Sequence, residues 1–499
     1  MRRLVWVALW MLACRGNIPA PEVGPPVSLV RPGATGGDGS AARPFGSLAR
    51  ALAEGEHRLQ LAPGRHAAPE APLARDVALL GERGARVAGR LLVSGSTVSV
   101  EGLWLEGGLE LRTGRARVQS STIGAAGEED ALNAYRARVE LRDVQIQAGP
   151  RAGVYALGST LSLSRVGISG PTQRSLVSEG SRLRLVEVDL DQATLAHAIS
   201  SESRGRLTQV RTSSSARVGW VAKASRLRFE HSRLAGLRHA LLANQSELDV
   251  EDSRLERSQV FGLGANGSTL SLARSEVEAE GGGVSVAVGS RLSLDSSTIA
   301  FAQSDGLLVT DAEVEAVDLA LLGGALSRDG LVLHGARSRA QLKRTRIGGT
   351  SGWAVVLTQD AALQVDSSTI GPSGGGLWVQ DGFRGRSHLA RSLVRGCFGE
   401  AGLRFERAWV RIDYVRFEAC SVVGAQLGEL QAKEGRFMSG LQLFGSSRAE
   451  LSGGLAQGEP WSVFCTPDSE LLLEDTTVRG QTPGCRLPPQ APQAPNQGP

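Results

Sequence analysis

The chain has 499 residues, and 55 Lys and Arg against 51 Asp and Glu leave a net charge of +4. So small an excess gives no global argument for specific nucleic-acid binding. Aromatic residues make up 4% of the chain and Gly contributes 63 residues, which points to an aliphatic interior with frequent turns. Lys223, Lys343 and Lys433 are the only lysines, so nearly all positive charge sits on Arg.

Met1–Cys14 reads as an export signal: Arg2 and Arg3, an apolar Leu4–Leu12, then Ala13 and Cys14. The apolar run is too short to span a bilayer as a helix. Met11-Leu-Ala-Cys14 resembles a bacterial lipobox, which implies lipidation of Cys14 and a membrane anchor. Met11 and Leu12 depart from the usual lipobox residues, so cleavage elsewhere, without lipid, stays open. Residues 15–28 are a Pro-rich tether.

Next come Gly36-Gly-Asp-Gly-Ser40, Pro44-Phe45, Leu48, Ala51-Leu52 and Leu59-x-Leu61-Ala-Pro-Gly64. This segment, residues 29–66, resembles the opening of many right-handed parallel β-helix proteins of the pectin-lyase-like class. The resemblance implies a short helix followed by a first strand. Leu48, Ala51 and Leu52 would form one face of that helix and lid the open end of a strand stack. It specifies architecture and hardly any activity, because this fold hosts lyases, hydrolases, adhesins and scaffolds alike.

Residues 67–487 carry a repeat. Its clearest copy is Ser290-Arg-Leu-Ser-Leu-Asp-Ser-Ser-Thr-Ile299, with relatives such as Ser159–Ile168, Ser181–Leu190, Ser246–Leu255 and Ser338–Ile347. About eighteen copies lie between residues 96 and 478, three of them blurred and starting near Gly385, Gly428 and Ser447, with a mean period of about 22 residues. A leucine-rich repeat would need Asn or Cys where Ser297 sits and a helical or irregular return. Here the rest of each copy is Gly and a second short apolar run, as in Gly219-Trp-Val-Ala222 and Gly306-Leu-Leu-Val309. Those are strand words bounded by turns, so the expected fold is an all-β, right-handed parallel β-helix of about 18 coils. Residues 488–499 form a Pro/Gln/Ala tail with nothing to bury, expected to be disordered.

Within a copy, strand alternation directs positions 3 and 5 inward, then positions 8 and 10 after a bend. The position-8 column runs Val144, Val166, Val188, Val210, Ser232, Ser253, Ser275, Ser297. Serines inside an apolar stack must bond one another or backbone carbonyls, so they are expected to form a structural ladder. Counting back from each copy, the third residue (Ala156, Ser178, Ser200, Ala222, Ala243, Ala287, Val309) suits a tight interior corner. The fourth (Tyr155, Val177, Ile199, Val221, Leu242, Val286, Leu308) is then an outward stripe, covered by loops or offered to a partner.

Outward positions carry the candidate chemistry. Arg182/Arg184, Arg204/Arg206 and Arg226/Arg228 occupy positions 2 and 4 of three successive copies, giving two columns with neighbours about 4.8 Å apart. Arg211 and Arg233 lie one strand further round. Such stacking costs stability unless an anion or carboxylates meet it; Glu187, Glu202 and Glu230 are the local carboxylates. The face is either quenched by them or a docking strip for acidic polysaccharide or an anionic lipid head group. Arg228, Glu230, Asp249 and Glu251 form the best outward acid/base cluster, matching no catalytic motif. The seven histidines show no metal-ligand spacing beyond His231/His239, expected on different strands, and no cofactor motif appears.

Setting Cys14 aside leaves Cys397, Cys420, Cys465 and Cys485, an even number in an exported chain. Cys397 and Cys420 are each the thirteenth residue of adjacent copies, and Cys465 and Cys485 are about one coil apart. The repeat phase therefore predicts Cys397–Cys420 and Cys465–Cys485. The sequence as a whole points to an exported, lipid-anchored surface β-helix that binds or spaces without catalysis. The alternative is a polysaccharide lyase or hydrolase; oligomeric state and ligand are not encoded legibly.

Overall fold

A computed structural model describes residues 27–485 apart from Ala126 and Pro171. Cys14, the signal segment, most of the tether and the tail from residue 488 lie outside the described residues. The fold is an all-β parallel solenoid of about 19 turns of roughly 22 residues. Its single helix among the described residues, Leu48–Ala53, is capped by Ser47, whose hydroxyl accepts from the Arg50 N–H at 3.2 Å. Leu48, Ala51 and Leu52 are its buried residues, as the spacing predicted.

One coil shows how the sequence builds the stack. Arg291–Asp295 forms the first strand, Thr298–Phe301 the second and Leu307–Thr310 the third. Each pairs in parallel with its counterpart one coil away: Leu292 with Leu270 and Val314, Ile299 with Val277 and Leu321, Val309 with Val286 and Leu333. Like residues stack on like, and the interior is a column of aliphatic layers. The blurred copies keep register too, since Leu430 pairs with Val410, and Ala449 with Leu430 and Leu471.

Both corners flanking the first strand share one device. A residue in the left-handed region, Ser296 (φ 50°) or Gly289 (φ 72°), turns the chain, and the next residue is an inward Ser. At the second corner the Ser232, Ser253 and Ser275 N–H groups donate to Ser253, Ser275 and Ser297 Oγ at 3.0–3.2 Å. Each hydroxyl in turn donates to the carbonyl two residues before it, as Ser275 Oγ does to Ala273 O at 2.9 Å. The turn breaks the sheet's N–H to C=O pairing at this point, and the hydroxyl replaces the missing acceptor. This is the expected serine ladder. A second ladder, not anticipated, runs at position 1: the N–H groups of Ser159, Ser181, Ser203, Ser225, Ser246 and Ser268 donate to Oγ of the serine one coil on.

The stack also starts before the recognisable repeat. Ser28 pairs with Leu59, Leu59 with Leu79, and Leu79 with Val100, so three strands precede residue 96 in the first sheet. The third strand's outward stripe is present for Tyr155, Val177, Ile199, Val221 and Leu242, which stack in register. Val177 is 8% exposed and the others half-buried, leaving a narrow apolar strip rather than a bare one. Two assignments fail. Val286 pairs with Ala265 and is fully buried, and Ala287 pairs with Asn266 outside the small interior column. The Val288-Gly289 turn is one residue longer than its neighbours, which shifts the count and places Ser285 in the outward column against Gly264.

The cysteines pair as the phase predicted. Cys397 and Cys420 have Cα atoms 5.3 Å apart, and Cys465 and Cys485 4.7 Å.

Candidate functional site

The first strand's outer face carries the arginine block. Arg182, Arg204 and Arg226 stack in one column and Arg184, Arg206 and Arg228 in the other. Their surroundings differ sharply along the stack. Arg206 reaches Glu230 at 2.9 Å, Arg228 reaches Glu230 and Glu251 at 2.7 Å each, and Arg226 pairs with Glu247. Among the described residues, Arg182, Arg184 and Arg204 form no ion pair. Of the carboxylates proposed to relieve the block, Glu230 does so and Glu187 and Glu202 do not. Both of the latter sit at left-handed corners (φ 55° and 52°), and the turn carries them off the strand face. Around the next corner Arg211 stacks on Arg233, and Arg233 is held by Glu256 at 2.5 Å.

The cluster Arg228, Glu230, Asp249 and Glu251 is a charge network. Glu251 takes hydrogen bonds from Arg274 and Arg228, and these hold its carboxyl below the usual range. The hydrogen bond to Glu251 pushes the Arg228 guanidinium up in turn. A general acid for glycosidic cleavage needs a carboxyl pushed up towards neutrality, and this network does the reverse for Glu251.

A groove of about 470 Å³ lies further along the same face. Gln341, Lys343, Gln364, Asp366, His388, Asp413 and Tyr414 line it. His388 Nε2 lies 2.8 Å from Asp413 Oδ2, and Arg411 approaches the same carboxylate at 3.1 Å. Asp366 is bound by Arg391 at 2.5 Å, and that hydrogen bond holds its carboxyl low. Lys343 forms no ion pair among the described residues. Sequence reading missed the His388–Asp413 pair. The signal that could have found it was positional: they are positions 4 and 6 of consecutive copies, but the copy starting at Gly385 is blurred.

His197, on the third sheet, is fully buried. Its Nε2 sits 2.8 Å from the Ser213 carbonyl and 3.4 Å from Ser215 Oγ, and its Nδ1 3.5 Å from Ser175 Oγ. Burial lowers its pKa to about 4. A ring nitrogen donating to a backbone carbonyl has no lone pair for a serine proton, so this cluster does not make Ser215 a nucleophile. His231 lies at a corner and His239 on a third strand, so they do not converge. Among the described residues, no group of three or more His, Cys, Asp or Glu could hold a metal ion.

No protein-family model and no curated protein matches the chain. Among solved structures it is similar to the Azotobacter vinelandii mannuronan C-5 epimerase AlgE6 A-module, at 11% identity and TM-score 0.17, covering 87% of this chain and 93% of that one. A bacteriophage CBA120 tailspike protein gives 9% identity and TM-score 0.14, with 87% and 57% coverage. The catalytic domain of a GH87 alpha-1,3-glucanase in complex with nigerose gives 9% and 0.12, with 95% and 70% coverage. Likenesses this faint carry no argument about what this chain does.

Proposed function

We propose that the chain is an exported, lipid-anchored β-solenoid that binds an acidic polysaccharide on its first sheet without cleaving it. The observation that carries this reading is the set of guanidinium groups at Arg182, Arg184 and Arg204, without an ion pair among the described residues and stacked at coil spacing beside arginines whose charge is already met. Planar, permanently charged groups at a repeat of about 4.8 Å suit a polymer bearing regularly spaced carboxylates or sulfates. The two disulfides belong to a chain folded in an oxidising compartment, extracellular or periplasmic. No helix among the described residues is long and apolar enough to cross a membrane, so anchoring in this reading rests on Cys14.

The test is retention on heparin-like and polyuronate resins over a salt gradient. Arg182→Ser with Arg204→Ser should elute at clearly lower salt than the parent, and Arg226→Ser, whose partner is Glu247, should elute close to it. Counterion release lowers the salt slope by about 0.7–0.9 per lost contact on a charged polymer. Equal retention of all three proteins would sink the reading. A polysaccharide lyase or hydrolase is the second reading, favoured by the His388–Asp413 pair, which could orient an imidazole as a general base. Release of reducing or unsaturated ends, abolished by His388→Gln, would establish it in place of the first.

A further inference from the structure

The outward stripe of the third sheet changes character near the C-terminal end. Phe464 stacks on Gln442, Gln442 on Val423, Val423 on Arg404, and Arg404 on Trp378. Apolar and polar residues therefore alternate along the solenoid axis, so Phe464, Val423 and Trp378 recur every second coil, at about 9.6 Å. The patch is unusually aromatic for this chain. Phe464 lies 5.5 Å from the Phe444 ring and 5.1 Å from that of Trp461, which is 40% exposed, and Trp378 lies 5.8 Å from Trp353. Arg404 spans Trp378 at 5.9 Å and is anchored by the buried Glu406 at 2.5 Å.

The chain itself contains a complement. The described residues end at Cys485, bonded to Cys465, the neighbour of Phe464. Beyond it the sequence reads Arg-Leu-Pro-Pro-Gln-Ala-Pro-Gln-Ala-Pro-Asn-Gln-Gly-Pro, with Pro489, Pro492 and Pro495 at every third residue. A polyproline II strand has three residues per turn and rises about 3.1 Å per residue, so these prolines would make one ridge repeating every 9.3 Å or so. That repeat matches two coils, and the span from Pro489 to Pro495, about 19 Å, matches the four coil steps from Phe464 to Trp378. Aromatic grooves take such ridges between rings while neighbouring donors meet the unpaired carbonyls. Gln442 and Arg404 supply donors in the intervening coils.

We infer that the chain's own segment Pro489–Pro495 docks along this stripe, its prolines over Phe464, Val423 and Trp378. Four residues from Cys485 to Pro489 reach at most about 14 Å, enough to bring the ridge onto Phe464. The occupant is thus a segment in the same molecule.

The test is acrylamide quenching of Trp378, isolated as the difference between each protein and its Trp378→Phe counterpart. Removing residues 488–499 leaves Cys465–Cys485 in place and should raise the Trp378 quenching constant at least twofold. Replacing Pro489, Pro492 and Pro495 with Ser should do the same at full length, whereas replacing the off-ridge Pro488 and Pro499 should not. Unchanged quenching on removal overturns the proposal, and an equal effect of the off-ridge pair overturns the ridge. Protection in the full chain that disappears on dilution from micromolar to nanomolar would assign the occupant to a second copy and overturn docking within one molecule.

Discussion

His197 offers a quantitative probe of the solenoid interior. Its ring is buried among the third-sheet layers, meets the Ser213 carbonyl at 2.8 Å, and has its pKa lowered by burial to about 4, against 6.5 for the ordinary group. The unfolded chain therefore binds a proton that the folded chain refuses. Stability is complete above pH 6.5 and falls as pH drops from there to about 4, below which both states are protonated. At about 1.36 kcal/mol per pKa unit the loss is on the order of 3 kcal/mol, with Asp191 the charge that opposes it. The substitution to make is His197→Gln, which retains a donor for the Ser213 carbonyl and does not titrate. Its own packing cost shifts the baseline equally at all pH values, so the readout is the difference in pH dependence. Urea midpoints from pH 3.5 to 7.5 should fall with acid for the parent and much less for the variant. Because a solenoid's coils are coupled mainly to neighbours, fluorescence of the buried Trp220, one coil away, is the appropriate local signal. An imidazole titrating near pH 6.5, or parallel curves for the two proteins, would overturn this linkage.

Ser246→Ala removes the acceptor of the Ser225 N–H and should cost about 1–3 kcal/mol in denaturant unfolding; a loss below about 0.5 kcal/mol would show that the ladder hydroxyls are dispensable. Replacing Cys397 and Cys420 with Ser should cost about 2–4 kcal/mol and expose the C-terminal coils to proteolysis first, with non-reducing peptide mapping verifying the parent linkage. Asp305 and Asp329 stack in adjacent coils, and burial pushes both carboxyls up, so their ionisation opposes folding. The stability linked to their protons is present in acid and lost as pH rises through the raised pKa values. Asp305→Asn should therefore raise the unfolding midpoint at pH 7 and change it little near pH 3, and the opposite pattern would sink the assignment.

The sequence made legible whatever depends on the repeat phase. Inward leucines, the Ser232–Ser297 ladder and both cysteine pairs follow from counting within a copy, because coil stacking converts phase directly into contact. Failures arise where a coil changes length or a side chain leaves its column. One added residue at Val288-Gly289 moved Val286 indoors, and the coils holding Leu59 and Leu79 could not be counted as copies because they lack the serine corner, Leu59 being placed on a first strand only by the resemblance of its segment. Charge pairing was the least legible. Which arginines are neutralised depends on reach: Glu230 stands on the strand face and meets Arg206 and Arg228, whereas Glu187 and Glu202 are turned aside by their left-handed backbone.

The second serine corner keeps its length from coil to coil, as Asp295 to Thr298 does against Val317 to Ala320, but the corner between the second and third strands carries no such lock. From Phe301 to Leu307 the chain spans a short loop, while the next coil needs Gly324–Gly330, including Leu326 at 77% exposure, to cover the same step. Register is regained on both sides, with Leu307 on Leu331 and Leu331 on Val355. That corner therefore tolerates insertion: a peptide or small domain grafted at Leu326 should leave the strand ladder unshifted, whereas one added residue beside Ser297, where the turn keeps its length, would throw the following side chains to the wrong face. Variation in length, and any recognition loop the scaffold acquires, falls at the two corners that flank the third strand.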